Sequence, residues 1–139
     1  MEIPECFYRI SVKALVLNEE RDKFLITKET SGEWELPGGG LDWGETPQSD
    51  LPREINEEMG LKITSMADHP SYFFTVAHAT KPGLWVCNVL YETTLESLDF
   101  IPTDECIAVD WLGKDNADQF DLFPNVPLLL EQFDPRRHQ

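Results

Sequence analysis

The sequence predicts an α/β fold in which a mixed β-sheet is packed between helices. Three observations lead to this prediction. Several short segments alternate apolar and polar residues and are rich in β-forming side chains. One central segment has apolar residues at helical spacing, and a second apolar segment with the same spacing lies near the C-terminus. Strands that are separated by one helix and followed by another are typical of a mixed sheet between helices.

The individual elements follow from local patterns. Residues 7–17 alternate and predict a first strand, and after a polar turn residues 23–28 are predicted to return antiparallel. Residues 34–36 predict a short strand that ends at Pro37 and three glycines. The other predicted elements are paired strands at residues 72–78 and 84–91, a last strand at 107–112, a helix at 126–133 and a loose tail at 134–139.

Length and charge limit the possible functions. We expect residues 1–139 to form a single domain. The 11 basic and 26 acidic residues give a net charge of −15, which argues against binding of a nucleic acid polymer. No apolar run is long enough for a membrane span, and the N-terminus is acidic where a secretory signal would be basic. Three scattered cysteines are typical of reduced thiols, so we expect a cytoplasmic protein.

The central predicted helix carries three glutamates on one side. Glu54, Glu57 and Glu58 stand at positions i, i+3 and i+4, which places them within an arc of about 100°. An adjacent apolar stripe that can dock the helix onto the sheet is formed by Leu51, Ile55 and Met59. Clustered carboxylates repel one another, so such a face either binds a cation or is exposed to water.

The start of this helix has two interpretations. If Thr46 is the N-cap and Pro47 the first helical residue, Pro52 is the sixth residue and removes one hydrogen bond. If Asp50 is the N-cap, Pro52 lies in the first turn, where proline costs little. We favour the second interpretation, which predicts a shorter helix.

Residues 39–61 read GGLDWGETPQSDLPREINEEMGL. Gly39 is followed after five residues by Glu45, and seven further residues precede Arg53 and Glu54. An aliphatic residue, the paired Glu57-Glu58 and Gly60-Leu61 complete the pattern GX5EX7REUXEEXGU, where U is aliphatic. By this pattern the chain is identified as a member of the Nudix hydrolase family. The resemblance implies an α/β/α sandwich.

The resemblance also implies a metal site. Glu57 is expected to be the central ligand, flanked by Glu54 and Glu58, and the Gly38 carbonyl to complete the protein's ligands. Oxygen ligands of this kind suit Mg²⁺, with Mn²⁺ as a second possibility. Arg53 is expected to orient the carboxylates. The resemblance implies that Gly39 and Glu45 support the ligands without binding the metal. Glu45 is expected to brace the loop against the helix.

Further candidates lie outside the motif. Glu105 precedes Trp111 by six residues, a spacing that resembles the family's catalytic-loop glutamate; the alternative is an ordinary acidic loop residue. As ligand or general base it would join Glu54, Glu57, Glu58 and Arg53 in the catalytic set. Substrate contacts are predicted for a strand-end lysine, a strand arginine and a loop tryptophan, each with an ordinary surface or core role as the alternative: Lys28, Arg9 and Trp43.

The reaction implied by the resemblance is hydrolysis of a diphosphate linkage by a metal-activated water. The substrate class is a nucleoside triphosphate or another nucleoside diphosphate linked to a second group. Glu54, Glu57 and Glu105 remain alternatives for the general base. Some subfamilies carry a proline or tyrosine after the motif that marks hydrolases of ADP-ribose or dinucleoside polyphosphates. Ala77 and His78 occupy that stretch here, so these markers are missing. An ADP-ribose, nucleotide-sugar or dinucleoside polyphosphate hydrolase and a non-catalytic nucleotide sensor are the alternatives, and a monomer and a homodimer are both compatible.

Overall fold

The computed structural model describes residues 5–139, so the first four residues of the acidic N-terminus lie outside the described part. The described chain forms eight strands and two α-helices. In chain order these are β1 (Tyr8–Leu15), β2 (Phe24–Lys28), β3 (Trp34–Glu35), β4 (Gly38–Gly40), α1 (Pro47–Met59), β5 (Ile63–Met66), β6 (Tyr72–Ala77), β7 (Trp85–Leu95), β8 (Ala108–Leu112) and α2 (Val126–Gln132). No helix in this part of the chain has the length and apolar content needed to span a bilayer.

The strands form a five-stranded mixed sheet and a three-stranded antiparallel sheet. In the mixed sheet the order is β4-β1-β7-β5, with β6 also paired to β7. β1 runs parallel to β7, and the other pairs are antiparallel. At 11 residues, β7 is long enough to pair with β6 along its first half and with β5 near its end. The smaller sheet has the order β3-β2-β8.

Each helix covers its own hydrophobic core. The first core joins α1 to one face of the mixed sheet and contains Val12, Ala14, Val16, Leu25, Leu51, Ile55, Met59, Leu61, Tyr91 and Cys106. The second joins α2 to the opposite side and contains Leu15, Phe24, Ile26, Leu36, Tyr72, Phe74, Leu90, Leu112, Val126, Leu129 and Phe133. Alternating residues of β1 enter both cores, because successive side chains of a strand point to opposite faces. The predicted α/β fold with helices on both sides is therefore confirmed.

The relation between the first two strands differs from the prediction. The antiparallel return is limited to the bridge between Leu17 and Phe24, after which β2 leaves the sheet of β1 and pairs with β3 and β8. Both edges of β1 are already occupied, by β4 on one side and β7 on the other. The glycines expected only to end a strand form β4 themselves, and β5 is an additional strand.

The favoured start of the central helix is wrong. α1 begins at Pro47, with Thr46 as the N-cap. Thr46 Oγ1 accepts from the Ser49 N–H at 3.2 Å, and Ser49 Oγ accepts from the Thr46 N–H at 3.1 Å, a reciprocal capping box. Asp50 is buried inside the helix, and Pro52 lies in its interior, where it leaves one helical hydrogen bond unmade.

The C-terminal segment is packed rather than loose. Pro135–His138 form a 3₁₀ turn, and the ring of His138 stacks on Phe133 with centroids 5.4 Å apart. The Tyr72 hydroxyl is 2.8 Å from His138 Nε2 and accepts from the Asp134 N–H at 3.1 Å. Burial lowers the pKa of His138, which keeps the ring neutral at pH 7. Contacts with Tyr72 and Phe133 therefore hold in place a C-terminal segment that the sequence predicts to be loose.

Replacing Tyr72 by Phe keeps the ring and removes the hydroxyl that contacts His138 and Asp134. We expect the free energy of unfolding to fall by about 1–3 kcal/mol, because buried polar partners are left unpaired. Urea denaturation at neutral pH measures this change. Tyr8→Phe, on a half-exposed tyrosine, is the matched control, with an expected change within about 0.5 kcal/mol. Equal effects of the two substitutions would show that the hydroxyl does not stabilise the C-terminal segment.

Candidate active site

The glycine strand β4 lies directly against the acidic side of α1. The Gly38 N–H donates to the Glu58 carboxylate, at 3.2 Å from Oε2 and 3.4 Å from Oε1. A Cβ on Gly38 would lie 2.2 Å from the Val12 carbonyl oxygen, and its φ of +133° also requires glycine. A Cβ on Gly39 would lie 2.6 Å from the Glu54 carboxylate. The absence of side chains therefore allows two carboxylates to approach the strand backbone.

A cleft of about 290 Å³ opens where β4, α1 and the loop before β8 meet. Its polar lining is mostly carboxylate, and its floor is the glycine backbone. The lining residues are Lys13, Thr27, Glu29, Glu35, Leu36, Gly38, Gly39, Gly40, Glu54, Glu58 and Glu105. Glu29 and Glu35 were missed in the sequence, where nothing distinguishes them from other acidic residues at strand ends.

The cleft holds carboxylates that are poorly compensated. Glu58 is 6% exposed, and burial raises its pKa to about 8, with further increases from Glu105 and Glu54. The Lys13 ammonium and the hydrogen bond from the Gly38 N–H act in the opposite direction. Burial also raises the pKa of Glu54. A region in which desolvation and mutual repulsion disfavour the ionised form is suited to a bound cation.

Arg53 binds three carboxylates of its own helix. Its guanidinium donates to Glu57 Oε1 at 2.8 Å, to Glu54 Oε1 at 3.2 Å and to the buried carboxylate of Asp50. The hydrogen bond to Asp50, followed by the one to Glu57, raises the pKa of Arg53. The Glu57 side chain is 59% exposed and lies outside the cleft lining. The position of Glu57 thus depends on its ion pair with Arg53.

Thr103 connects the loop that carries Glu105 to the end of α1. Its Oγ1 donates to the Glu58 carbonyl at 2.6 Å and accepts from the Glu105 N–H at 3.3 Å. Glu105 is exposed at the mouth of the cleft and contributes to its lining. The structure therefore places Glu105 beside Glu54 and Glu58, although 47 residues separate Glu58 from Glu105 in sequence.

The donor atoms fit a hard divalent cation. Glu54, Glu58, Glu105 and the Gly38 carbonyl offer oxygen ligands, which suit Mg²⁺ or Mn²⁺. Within residues 5–139, however, no three Asp, Glu, His or Cys side chains converge into a complete metal shell. Glu57 is paired with Arg53, and Glu58 accepts from Gly38. The cleft thus supplies oxygen ligands of the expected type, while Glu57, the expected central ligand, is paired with Arg53 outside the cleft lining.

Lys13 is the basic residue of the cleft that sequence reasoning missed. It lies in the middle of β1, is 7% exposed, and its Nζ donates to the Gly38 carbonyl at 3.4 Å. A lysine between apolar residues in a predicted strand was the available signal.

A second cavity of about 280 Å³ adjoins the cleft and shares Lys13, Glu35 and Gly40 with it. Asn88 and Asn125 line this cavity and are 1% and 4% exposed. Asn125 Nδ2 donates to Asn88 Oδ1 at 3.2 Å, and this leaves Asn88 Nδ2 and Asn125 Oδ1 without a hydrogen-bond partner. Both residues line the cavity, so their unpaired buried donor and acceptor lie beside a space that a polar ligand can occupy. Sequence reasoning did not find this pair.

The predicted substrate residues are dispersed. Arg9 lies over Gly40, where a Cβ would be 2.5 Å from the guanidinium; it pairs with Asp42 at 3.2 Å and lines the second cavity. Lys28 is half-buried at the end of β2 and lines neither cavity. Trp43 is fully exposed in the loop after β4.

Glu45 lies beside the N-terminus of α1. Its Oε2 accepts from Ser49 Oγ at 2.9 Å, so it contacts the capping residue of the helix. A larger cleft of about 540 Å³ shares no residue with the carboxylate cleft and is lined mainly by β5, β7 and the turn after β1. Because that cleft lacks the glycine strand and the acidic face of α1, we place the chemistry in the smaller one.

Comparison with known proteins identifies the family of this chain. Residues 7–133 match the model of the NUDIX domain family. An RNA pyrophosphohydrolase of Ruthia magnifica subsp. Calyptogena magnifica is 32% identical over 84 residues, which cover 54% of this chain and 47% of that protein. The nucleoside triphosphatase NudI of Enterobacter sp. (strain 638) is 28% identical over 107 residues, covering 73% of this chain and 76% of the relative.

Solved structures show the same fold. The solution structure of the E. coli ORF135 protein superposes with a TM-score of 0.71 at 19% identity, covering 93% of this chain and 91% of the other. The crystal structure of a MutT protein from Methanosarcina mazei Go1 gives a TM-score of 0.69 at 23% identity, covering 99% and 100%. The chain spans only 36% to 47% of the length of the first curated relatives that it matches. The family match nevertheless covers most of the chain, which belongs to the Nudix family.

Substituting Gly39 by Ala places a methyl group where the Glu54 carboxylate now lies. We expect Mn²⁺ affinity to fall by about 10- to 100-fold, because a displaced carboxylate no longer lies over the strand backbone. Calorimetric titration with Mn²⁺ measures the change. Gly113→Ala is the control, since its Cβ would meet only flexible side-chain atoms of Asp115 and Lys23. Equal Mn²⁺ affinity in the two variants would exclude Glu54 as a ligand positioned by β4.

Proposed function

We propose that this protein is a divalent-metal-dependent pyrophosphohydrolase. It cleaves the diphosphate linkage of a nucleoside triphosphate or of another nucleoside diphosphate linked to a second group. The observation that carries this proposal is the contact of Glu54 and Glu58 with the glycine strand, in a cleft that continues into a second cavity with unpaired polar atoms. The carboxylate cleft can take the diphosphate with its metal, and the second cavity, lined by Asn88 and Asn125, can take the nucleoside.

Sequence similarity supports the reaction class. Two relatives that are similar in sequence are named RNA pyrophosphohydrolase and nucleoside triphosphatase, and both names describe cleavage of phosphoric anhydrides. We favour a small nucleotide over an RNA chain as the substrate. Binding a polymer requires a basic surface, whereas this chain has a net charge of −15 and an acidic cleft. Three free cysteines are compatible with a cytoplasmic location.

The cation we propose is Mg²⁺, with Mn²⁺ as a substitute. Glu54, Glu57, Glu58 and the Gly38 carbonyl would hold it, with Glu105 joining from the loop. Such an ion neutralises charge on the phosphate oxygens and acidifies a water molecule.

The chain's own groups have separate tasks. The Gly38 N–H holds the Glu58 carboxylate against β4, and Arg53 aligns Glu54 and Glu57 on the helix. A carboxylate that removes a proton from water must reach the cleft interior. Glu54 and Glu105 line the cleft, whereas Glu57 points to Arg53. We therefore place the general base at Glu54 or Glu105.

The decisive test combines a substrate panel with Glu57→Gln. Purified protein is incubated with Mg²⁺ and nucleoside triphosphates, ADP-ribose, nucleotide sugars, dinucleoside polyphosphates and a 5′-triphosphorylated RNA oligonucleotide, and products are identified by mass. We expect turnover of one small-nucleotide class and its loss in Glu57→Gln with the fold intact, because a neutral amide is a poor replacement for a carboxylate ligand.

Glu131→Gln, on an exposed face of α2, is the matched control and should retain full activity. Near wild-type turnover by Glu57→Gln would exclude Glu57 from the metal site. Nucleotide binding without turnover across the whole panel would favour the alternative of a non-catalytic sensor.

Glu105→Gln should slow the reaction, but less than Glu57→Gln does. We expect a decrease in kcat of about 100-fold if Glu105 accepts the proton. Asp104→Asn removes the neighbouring exposed charge and is the control. A Glu105→Gln rate equal to that of Asp104→Asn would exclude Glu105 from catalysis.

A further inference from the structure

Lys13 is a buried charge in the middle of a strand. It is 7% exposed and stands between Val12 and Ala14, whose side chains enter the α1 core. In register it lies opposite Gly38 on β4 and Leu90 on β7. Burial of an ammonium group is costly unless the charge is compensated. A lysine at this position therefore calls for a specific partner.

The protein compensates Lys13 only in part. Among the described residues, the Lys13 side chain makes one hydrogen bond, to the Gly38 carbonyl at 3.4 Å. No carboxylate oxygen in that part of the chain lies within 4.0 Å of Nζ. An ammonium group has three donors. At least two donors thus remain for groups other than the protein.

Lys13 lies where the two cavities meet. Lys13 lines both the carboxylate cleft and the Asn-lined cavity. Arg9, Ser11 and Lys13 alternate along β1, so their side chains share one face, beside the glycine strand. A molecule that extends from Glu54 and Glu58 to Asn88 and Asn125 must pass this row of side chains.

Charge also favours an anion at this junction. Lys13 is the sole basic residue among those that line the carboxylate cleft, which contains five glutamates. Its charge lowers the pKa of both Glu58 and Glu29, so it acts on the cleft from close range. A polyphosphate that enters these carboxylates is repelled unless cations lie on its path.

We propose that Lys13 binds the phosphate chain of the substrate at the junction of the carboxylate cleft and the Asn-lined cavity. This role rests on the proposed function, because it requires a ligand with a diphosphate. The Gly38 carbonyl that Lys13 now contacts is also a proposed metal ligand, so a divalent cation there repels the ammonium and leaves its donors to the phosphate. Loss of the Lys13 charge therefore weakens phosphate binding without weakening metal binding.

The test uses inorganic pyrophosphate, which carries the diphosphate without a base or sugar. Its Kd is measured by calorimetry with Ca²⁺ for the wild type, Lys13→Met and Lys13→Gln. Mn²⁺ alone is titrated in parallel. We expect pyrophosphate affinity to fall by about 10- to 100-fold in both variants, the loss of a hydrogen bond to a charged group. Mn²⁺ affinity should be unchanged or higher.

Lys23→Met is the matched control, because Lys23 pairs with exposed Asp115 away from both cavities and should leave both affinities unchanged. Lys13→Gln retains a donor for the Gly38 carbonyl, so it covers the case in which Lys13→Met does not fold. Unchanged pyrophosphate affinity in a folded Lys13→Gln overturns the assignment. A parallel loss of Mn²⁺ affinity also overturns it, since that result indicates a structural role.

The outcome is separable from that of the proposed function. Pyrophosphate binding that depends on Lys13, in a protein that hydrolyses none of the panel, supports the phosphate contact and refutes the reaction. Nucleotide hydrolysis with the same KM in wild type and Lys13→Gln supports the reaction and refutes the contact. Absence of pyrophosphate binding by the wild type likewise refutes the contact.

Discussion

The close approach of two carboxylates to the glycine strand is the constraint on which the site depends. Glu58 accepts from the Gly38 N–H, and the Glu54 carboxylate occupies the space of a Gly39 side chain. The strand can come this near only because β4 has no side chains and Gly38 adopts a positive φ. Its pairing with β1 holds it in place, and the apolar stripe of α1 docks the helix on the same sheet. Fold and site therefore share one packing arrangement.

Two basic side chains, those of Arg53 and Lys13, lie near these carboxylates. Arg53 lies on the solvent side of α1, where it pairs with Glu54, Glu57 and the buried Asp50. Lys13 lies inside, against the Gly38 carbonyl. The carboxylates that remain in the cleft are desolvated and mutually repulsive, which explains the raised pKa values of Glu54 and Glu58. The cleft thus concentrates carboxyl groups whose ionised forms are disfavoured, and this is where the proposed divalent cation would stabilise them most.

The differences between expectation and structure arise from competition between local and long-range interactions. Asp50 is a good N-cap by residue type, but the reciprocal hydrogen bonds of Thr46 and Ser49 begin the helix earlier and leave Pro52 in its interior. The C-terminal residues look polar and loose, yet Tyr72 and Phe133 bury His138. Strand β2 has the pattern of a hairpin partner for β1, but both edges of β1 pair with strands that come later in the chain.

The sequence by itself determined the fold class, the family and the acidic face of α1, because the motif is contiguous and helical spacing alone brings Glu54, Glu57 and Glu58 together. Only the tertiary structure showed that Lys13 lies over Gly38, 25 residues away, and that Asn88 meets Asn125 across 37 residues. Such contacts depend on strand order and register, which local patterns do not specify. The cavity beside the carboxylates, and with it the residues available for substrate contacts, could be identified only once the sheets were assembled.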